Sequence, residues 1–208
     1  MKKIQSNLLL AFIAFFTFTS CNNQQEQTTA ATETTTTEAA YNILPDSSSR
    51  VIWKGVMLGI KEHQGTVAFK EGSLTIKNGS VAGGSFTVDL TSITPNDANY
   101  DAKSGYGPEK LVQHLQSPDF FDVANFPTAT FVINSAEGNT AKGVLTVRGK
   151  SNEETLTDIA VSESEGIVTA SGKLTFDRKK YGVAFDMPAK DMVISNDIEL
   201  NVTLKGKK

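Results

Sequence analysis

Ile198-Glu199-Leu200-Asn201-Val202-Thr203-Leu204 alternates a large aliphatic side chain with a polar one along its whole length. A period of two puts every second side chain on one face, so this stretch reads as a β-strand buried on one side and wet on the other. The same period runs through Phe86, Val88 and Leu90, through Ala129, Phe131 and Ile133, and through Val168, Ala170, Leu174 and Phe176. Further runs at Val51 to Leu58, His63 to Lys70, Leu74 to Lys77, Gly143 to Arg148 and Glu154 to Val161 bring the expected total to roughly eight to ten strands. Gly, Asn, Asp and Ser turns separate them. Lys77-Asn78-Gly79-Ser80 reads as a tight hairpin, because Asn-Gly readily takes the two positive φ angles of a type I′ turn.

Helical spacing is confined to one place. Pro108 suits a first helical position, and Leu111, Val112 and Leu115 form an apolar stripe that ends before Ser117 and Pro118. One short helix cannot cover the apolar faces of so many strands, and βαβ spacing is absent from the chain. The expected fold is therefore all-β and antiparallel, burying its inner face against itself as a closed barrel or a sandwich.

A barrel of about eight strands is either filled by its own side chains or holds a small ligand. Strand phase turns Trp53, Met57, Val67, Phe69, Phe86, Val88, Phe131, Ile133, Leu145, Val147, Leu174, Phe176, Leu200 and Val202 inward. Gly55, Gly65, Gly84, Gly143 and Gly172 fall on the same faces. Small residues beside large ones fit an interdigitated core or a tube left open for an alkyl chain, and the pattern leaves both readings open. The longest break in the strands, Asn96 to Gly107 with the helix after it, is expected to cap one mouth. Leu111 and Leu115, with Phe120 and Phe121 behind them, would serve there as a lid or as a plug of core.

The start of the chain has a different character. Lys2 and Lys3 precede an apolar run from Leu8 to Phe16, and Thr19 and Ser20 lead into Cys21, so residues 1–20 read as a secretory signal too short to span a membrane stably. Cys21 is the only cysteine and has no disulfide partner within the chain. It stands where a lipoprotein signal peptidase would leave it first, so it is expected to be lipidated, although Phe18-Thr19-Ser20 departs from the Leu-Ala-Gly lead of a lipobox. Two or more acyl chains would hold it firmly on a membrane. Residues 22–40 contain only Asn, Gln, Thr, Glu and Ala and cannot bury enough apolar surface to offset their ordering entropy. Residues 21–40 are accordingly a tether, and 41–208 the folded domain. Asn22-Asn23-Gln24-Gln25-Glu26 lacks a dense acidic cluster, so the expected location is the cell envelope, lipid-anchored in the outer membrane and facing the periplasm.

Charge and motif content exclude several functions. The chain carries −3, which becomes −5 once Lys2 and Lys3 leave with the signal, so nucleic acid is not an expected partner. Lys205, Lys207 and Lys208 read as a solvated chain end. No His-Glu-X-X-His, paired cysteines or Asp-rich calcium loop implies a metal, and no Gly-X-Ser-X-Gly elbow or phosphate-cradling loop implies a nucleophile or a nucleotide. His63 shares a face with Val67 and Phe69 and so points into the lumen. There it would be a satisfied core histidine, a hydrogen-bond partner for a ligand head, or a general base. His114, beside the helix stripe, reads as a surface or packing residue.

Several motifs carry a family resemblance. His114-Leu115-Gln116-Ser117-Pro118-Asp119-Phe120-Phe121-Asp122, followed by Phe126-Pro127-Thr128-Ala129-Thr130-Phe131, resembles the signature of the YceI-like bacterial envelope proteins. Gly143-Val144-Leu145-Thr146-Val147-Arg148-Gly149, Phe176-Asp177-Arg178-Lys179-Lys180-Tyr181-Gly182 and the closing Ile198-Glu199-Leu200-Asn201-Val202 match in the same order. Many relatives have a Lys-His pair where this chain has Lys61-Glu62-His63, and the Thr-rich tether resembles the lipoprotein branch. The resemblance implies an extended lipocalin-like barrel that binds a polyisoprenoid, a quinone-like molecule or another long-chain lipid, with the tail along the lumen and the head near one mouth. It implies a non-catalytic carrier or sequestering protein with no cofactor. Two alternatives stand beside it: an envelope enzyme acting on a lipid with His63 as proton carrier, and an interaction module with a packed lumen. The sequence leaves the oligomeric state open, a homodimer among the options.

Overall fold

The computed structural model describes residues 37–58, 61–100, 105–186 and 193–208. The expected signal peptide, Cys21 and the tether up to residue 36 lie outside the described residues. Among those described are nine antiparallel strands: β1 Glu38–Ile43, β2 Arg50–Leu58, β3 Lys61–Lys77, β4 Ser80–Pro95, β5 Thr128–Glu137, β6 Thr140–Val147, β7 Lys150–Ser164, β8 Ile167–Asp177 and β9 Val193–Lys207. The helix α1, Pro108–Gln116, lies between β4 and β5, and a 3-10 turn, Arg178–Tyr181, follows β8.

The strands bond in the order β3-β2-β9-β8-β7-β6-β5-β4, and β4 returns to β3, so the sheet closes into a barrel and the sandwich is ruled out. β1 and β2 share one place in the ring. β2 pairs with the first half of β3 (Trp53 opposite Gly65), whereas β1 pairs with its second half (Asn42 opposite Ser73) and with the end of β9 (Ile43 opposite Gly206). The jog between them is fastened to β9 by buried Ser49. Its Oγ accepts from the Lys205 amide at 3.0 Å and donates to the Lys205 carbonyl at 3.3 Å.

β1 begins at Glu38, three residues ahead of the boundary expected from composition. Ala39, Tyr41 and Ile43 share one face of it, and Tyr41 and Ile43 are buried, which draws the polar-looking residues before them into the sheet. β3 runs unbroken through Glu71-Gly72-Ser73, where the sequence suggested two strands. Register shifts against β4 between Thr66 and Ala68 and between Phe69 and Glu71 bend it around the ring without ending it. The tight turn at Asn78-Gly79 has φ of 52° and 76°, as a type I′ hairpin requires.

β8 shows the barrel's logic most cleanly, with buried and outward residues in strict alternation from Val168 to Phe176. The inward residues form two apolar clusters, one at each end. Leu111, Leu115, Phe120 and Tyr181 belong to the helix end; Tyr41, Ile76, Ala141 and Val168 belong to the other.

Candidate functional site

The space between the two clusters is not filled. Trp53, His63, Val67, Phe69, Phe86, Val88, Leu111, Leu115, Phe120, Phe121, Phe131, Ile133, Leu145, Leu174 and Phe176 all line one cavity of about 840 Å³. Close-packed interiors hold few voids larger than a water molecule, so a space of this size is a lumen and not a packing defect. Met57, Val147, Leu200 and Val202 line it as well.

One end is shut. Tyr41, Ile43, Ile76, Ala141 and Val168, all nearly or fully buried, lie outside the lining and form a solid floor. The Tyr41 hydroxyl donates to the Glu163 carboxylate beside it. The mouth lies toward the other end, that of α1, where half-buried Val56, Met57, Phe185 and Ile194 line the cavity together with the polar Lys61 and Tyr106. α1 covers part of this end: Leu111 and Leu115 face inward, and the Gln116 side-chain amide donates to the Thr91 carbonyl of β4 at 3.3 Å.

The five inward glycines divide into two sets. At Gly65 a Cβ would come within 2.6 Å of the Trp53 ring, at Gly84 within 2.8 Å of Phe86, and at Gly143 within 2.7 Å of Phe131, so aromatic rings fold over these three. Gly55 and Gly172 instead line the cavity. At Gly55 the nearest atom to a Cβ is Ile198 Cδ1 at 3.7 Å, whereas Gly172 sits against Leu156 at 3.1 Å. Interdigitation and an open tube therefore coexist along one wall.

Polar groups gather near the mouth. His63 and Gly65 are successive inward positions of β3, and Trp53, opposite Gly65, lays its ring over that glycine. His63 Nδ1 lies 3.2 Å from Asp97 Oδ1, and the His63 ring stacks on Tyr100 with centroids 5.1 Å apart. Asp97 also accepts from the amides of Gln64 at 3.0 Å and Asn99 at 2.8 Å and from the Tyr100 hydroxyl at 3.2 Å. Burial alone would raise the Asp97 carboxyl, but the hydrogen bonds from Asn99, Gln64 and His63 outweigh it and hold the group below its ordinary value. Burial, with Asp97 close by, pushes the Tyr100 hydroxyl up to about 12. Lys61 Nζ sits over the Tyr106 ring, 5.4 Å from its centre.

His114, expected as a surface or packing residue, packs and also lines the cavity, where it meets the rings of Phe120 at 5.4 Å and Phe185 at 4.5 Å. Burial lowers its imidazole pKa. Its signal was present in the helix period, since it stands one turn after Leu111 and beside Leu115. Among the described residues, no group of acidic, His or Cys side chains is placed to hold a metal ion.

A model of the family described as the YceI-like domain matches residues 41–206. The chain belongs to the YceI-like domain family. A curated relative, the UPF0312 protein of Staphylococcus aureus strain USA300, is 35% identical over 83 residues, which cover 35% of this chain and 46% of the relative. The chain thus spans about half the length of the curated relatives it matches. Among solved structures, BcnA of Burkholderia cenocepacia is similar at a TM-score of 0.56 and 22% identity, over 76% of this chain and 95% of that one. A polyisoprenoid binding domain from Saccharophagus degradans aligns over 80% of this chain and 97% of its own, with a TM-score of 0.49 and 13% identity. The YceI-like assignment agrees with the closed antiparallel barrel, and the family's matched segment begins at Tyr41 on β1 and ends at Gly206 on β9.

Proposed function

We infer that the chain binds a long-chain isoprenoid or similar amphiphilic lipid in its lumen and carries or sequesters it at the cell envelope without chemical change. The observation that carries this reading is the cavity itself: an apolar tube of about 840 Å³ with a solid floor, and polar side chains concentrated at its open end. An alkyl chain entering it gains roughly 0.8 kcal/mol per methylene buried. A polar head left near Lys61, His63 and Tyr106 keeps access to hydrogen bonds. Family membership supports the reading, because the YceI-like resemblance implies such a ligand.

The anchor belongs to the same proposal. Lipidated Cys21 would hold the barrel to the outer membrane on its periplasmic side, within reach of membrane lipids. Cys21→Ser is expected to move the protein from the membrane fraction to the soluble one with the barrel still folded. Extraction of the protein purified from its native membrane, followed by mass spectrometry, tests the function directly. A long-chain lipid at near one-to-one stoichiometry is the expected result. An extract without lipid, from protein that also fails to take up added polyprenol, would overturn it.

A further inference from the structure

Two polar atoms in the cavity wall have no hydrogen-bond partner among the described residues: Trp53 Nε1 and His63 Nε2. They belong to one patch, because the Trp53 ring covers Gly65 and His63 is the next inward residue of β3. Both residues line the cavity, and Trp53 is only 8% exposed. A buried donor or acceptor without a partner is costly, so a pair of them in a largely apolar wall marks a place for a polar group.

Their hydrogen-bonding roles differ. An indole N–H can only donate. The Asp97 carboxylate, held by the Gln64 and Asn99 amides, accepts from His63 Nδ1, which puts the imidazole proton on Nδ1 and leaves Nε2 of the neutral ring as an acceptor. The wall thus offers one donor and one acceptor. A hydroxyl satisfies both, accepting from Trp53 and donating to His63. A ketone, aldehyde or ether oxygen satisfies only Trp53 and leaves Nε2 facing apolar surroundings.

The geometry points to a head-group subsite at Trp53 and His63 that selects a long-chain alcohol over a carbonyl or ether of the same chain. This rests on the lipid-binding reading of the cavity. Asp97 is a positioning residue here, since it reaches the ligand only through the imidazole.

The test titrates the mature chain, stripped of bound lipid, with three probes that share one isoprenoid chain: geranylgeraniol, its methyl ether and geranylgeranial. The alcohol is expected to bind about tenfold tighter than the other two, the size of one hydrogen bond left unmade in a buried site. His63→Leu should erase that preference, and Trp53→Phe should weaken all three probes together. His63→Gln, whose amide oxygen can accept, should restore part of the preference. Equal, tight binding of all three by the unmodified protein overturns the subsite while the lumen still binds lipid. Failure of all three to bind overturns the lipid-binding reading, and the subsite with it.

Discussion

Arg178 is fully buried, and its guanidinium is spent mainly on holding backbone, with one further contact from Nη2 to the Asp186 carboxylate at 3.4 Å. It donates to the carbonyls of Val183 at 2.8 Å, Phe185 at 2.8 Å and Ser195 at 3.0 Å, which fastens the turn after β8 to the start of β9 beside the mouth. Arg178→Met would leave those carbonyls buried without donors and is expected to lower stability by about 3–5 kcal/mol in urea unfolding. Arg178→Lys should recover little, because an ammonium cannot span the fork that the planar guanidinium fills. Asp97 makes a prediction of the opposite kind, about pH. Its carboxyl is lowered in the folded state, so it contributes stability above the unfolded carboxyl pKa of about 4 and loses that contribution as pH falls through its folded value. The Tm difference between the natural protein and Asp97→Asn should therefore be largest near neutral pH and shrink between about pH 4 and pH 2. A difference that stays constant across that range would show that the carboxylate charge is irrelevant to holding His63.

α1 covers part of the open end of the lumen, as a lid or as a plug. It touches the barrel mainly at β4, and its two buried leucines line the cavity while packing into the apolar cluster at that end. Its amides are expected to exchange faster than those of β8 in the lipid-free protein and to slow when polyprenol is added; equal exchange in both states would make the helix a permanent plug. Much of the element order was legible beforehand. β8, β9, the Asn78-Gly79 turn and the bounds of α1 follow from period and turn chemistry alone. β1 escaped because Glu38-Ala39-Ala40 has the composition of the tether and enters the sheet only through Tyr41 and Ile43. The Arg148-Gly149 turn hid behind a residue rarely found at φ of 50°; Arg148 tolerates it there while its Nη1 donates to the carbonyls of Phe120 at 2.6 Å and Gly182 at 3.0 Å. The His63–Asp97 pair was beyond reach for a similar reason. Its members are 34 residues apart, and only the closing register of β3 on β4, Gly65 opposite Pro95, brings them together.

At the scale of the whole barrel the question is whether the inner face is a core or a container. Strand phase could place residues inward but could not tell which rings fold over a glycine and which leave a gap. The two outcomes are mixed along this wall: Phe86 fills the space at Gly84, while Gly55 opens on the lumen. Gly55→Leu tests the container most directly, because the new side chain meets only ordinary contact at Ile198 and projects into the tube near its mouth. The measurement pairs a thermal melt of lipid-free protein with a polyprenol titration of the same sample. Binding weakened about tenfold or more, with Tm within about 3 °C of the natural protein, is the predicted result. Unchanged binding together with a sharply lowered Tm would show that the lumen is core and contradict the account.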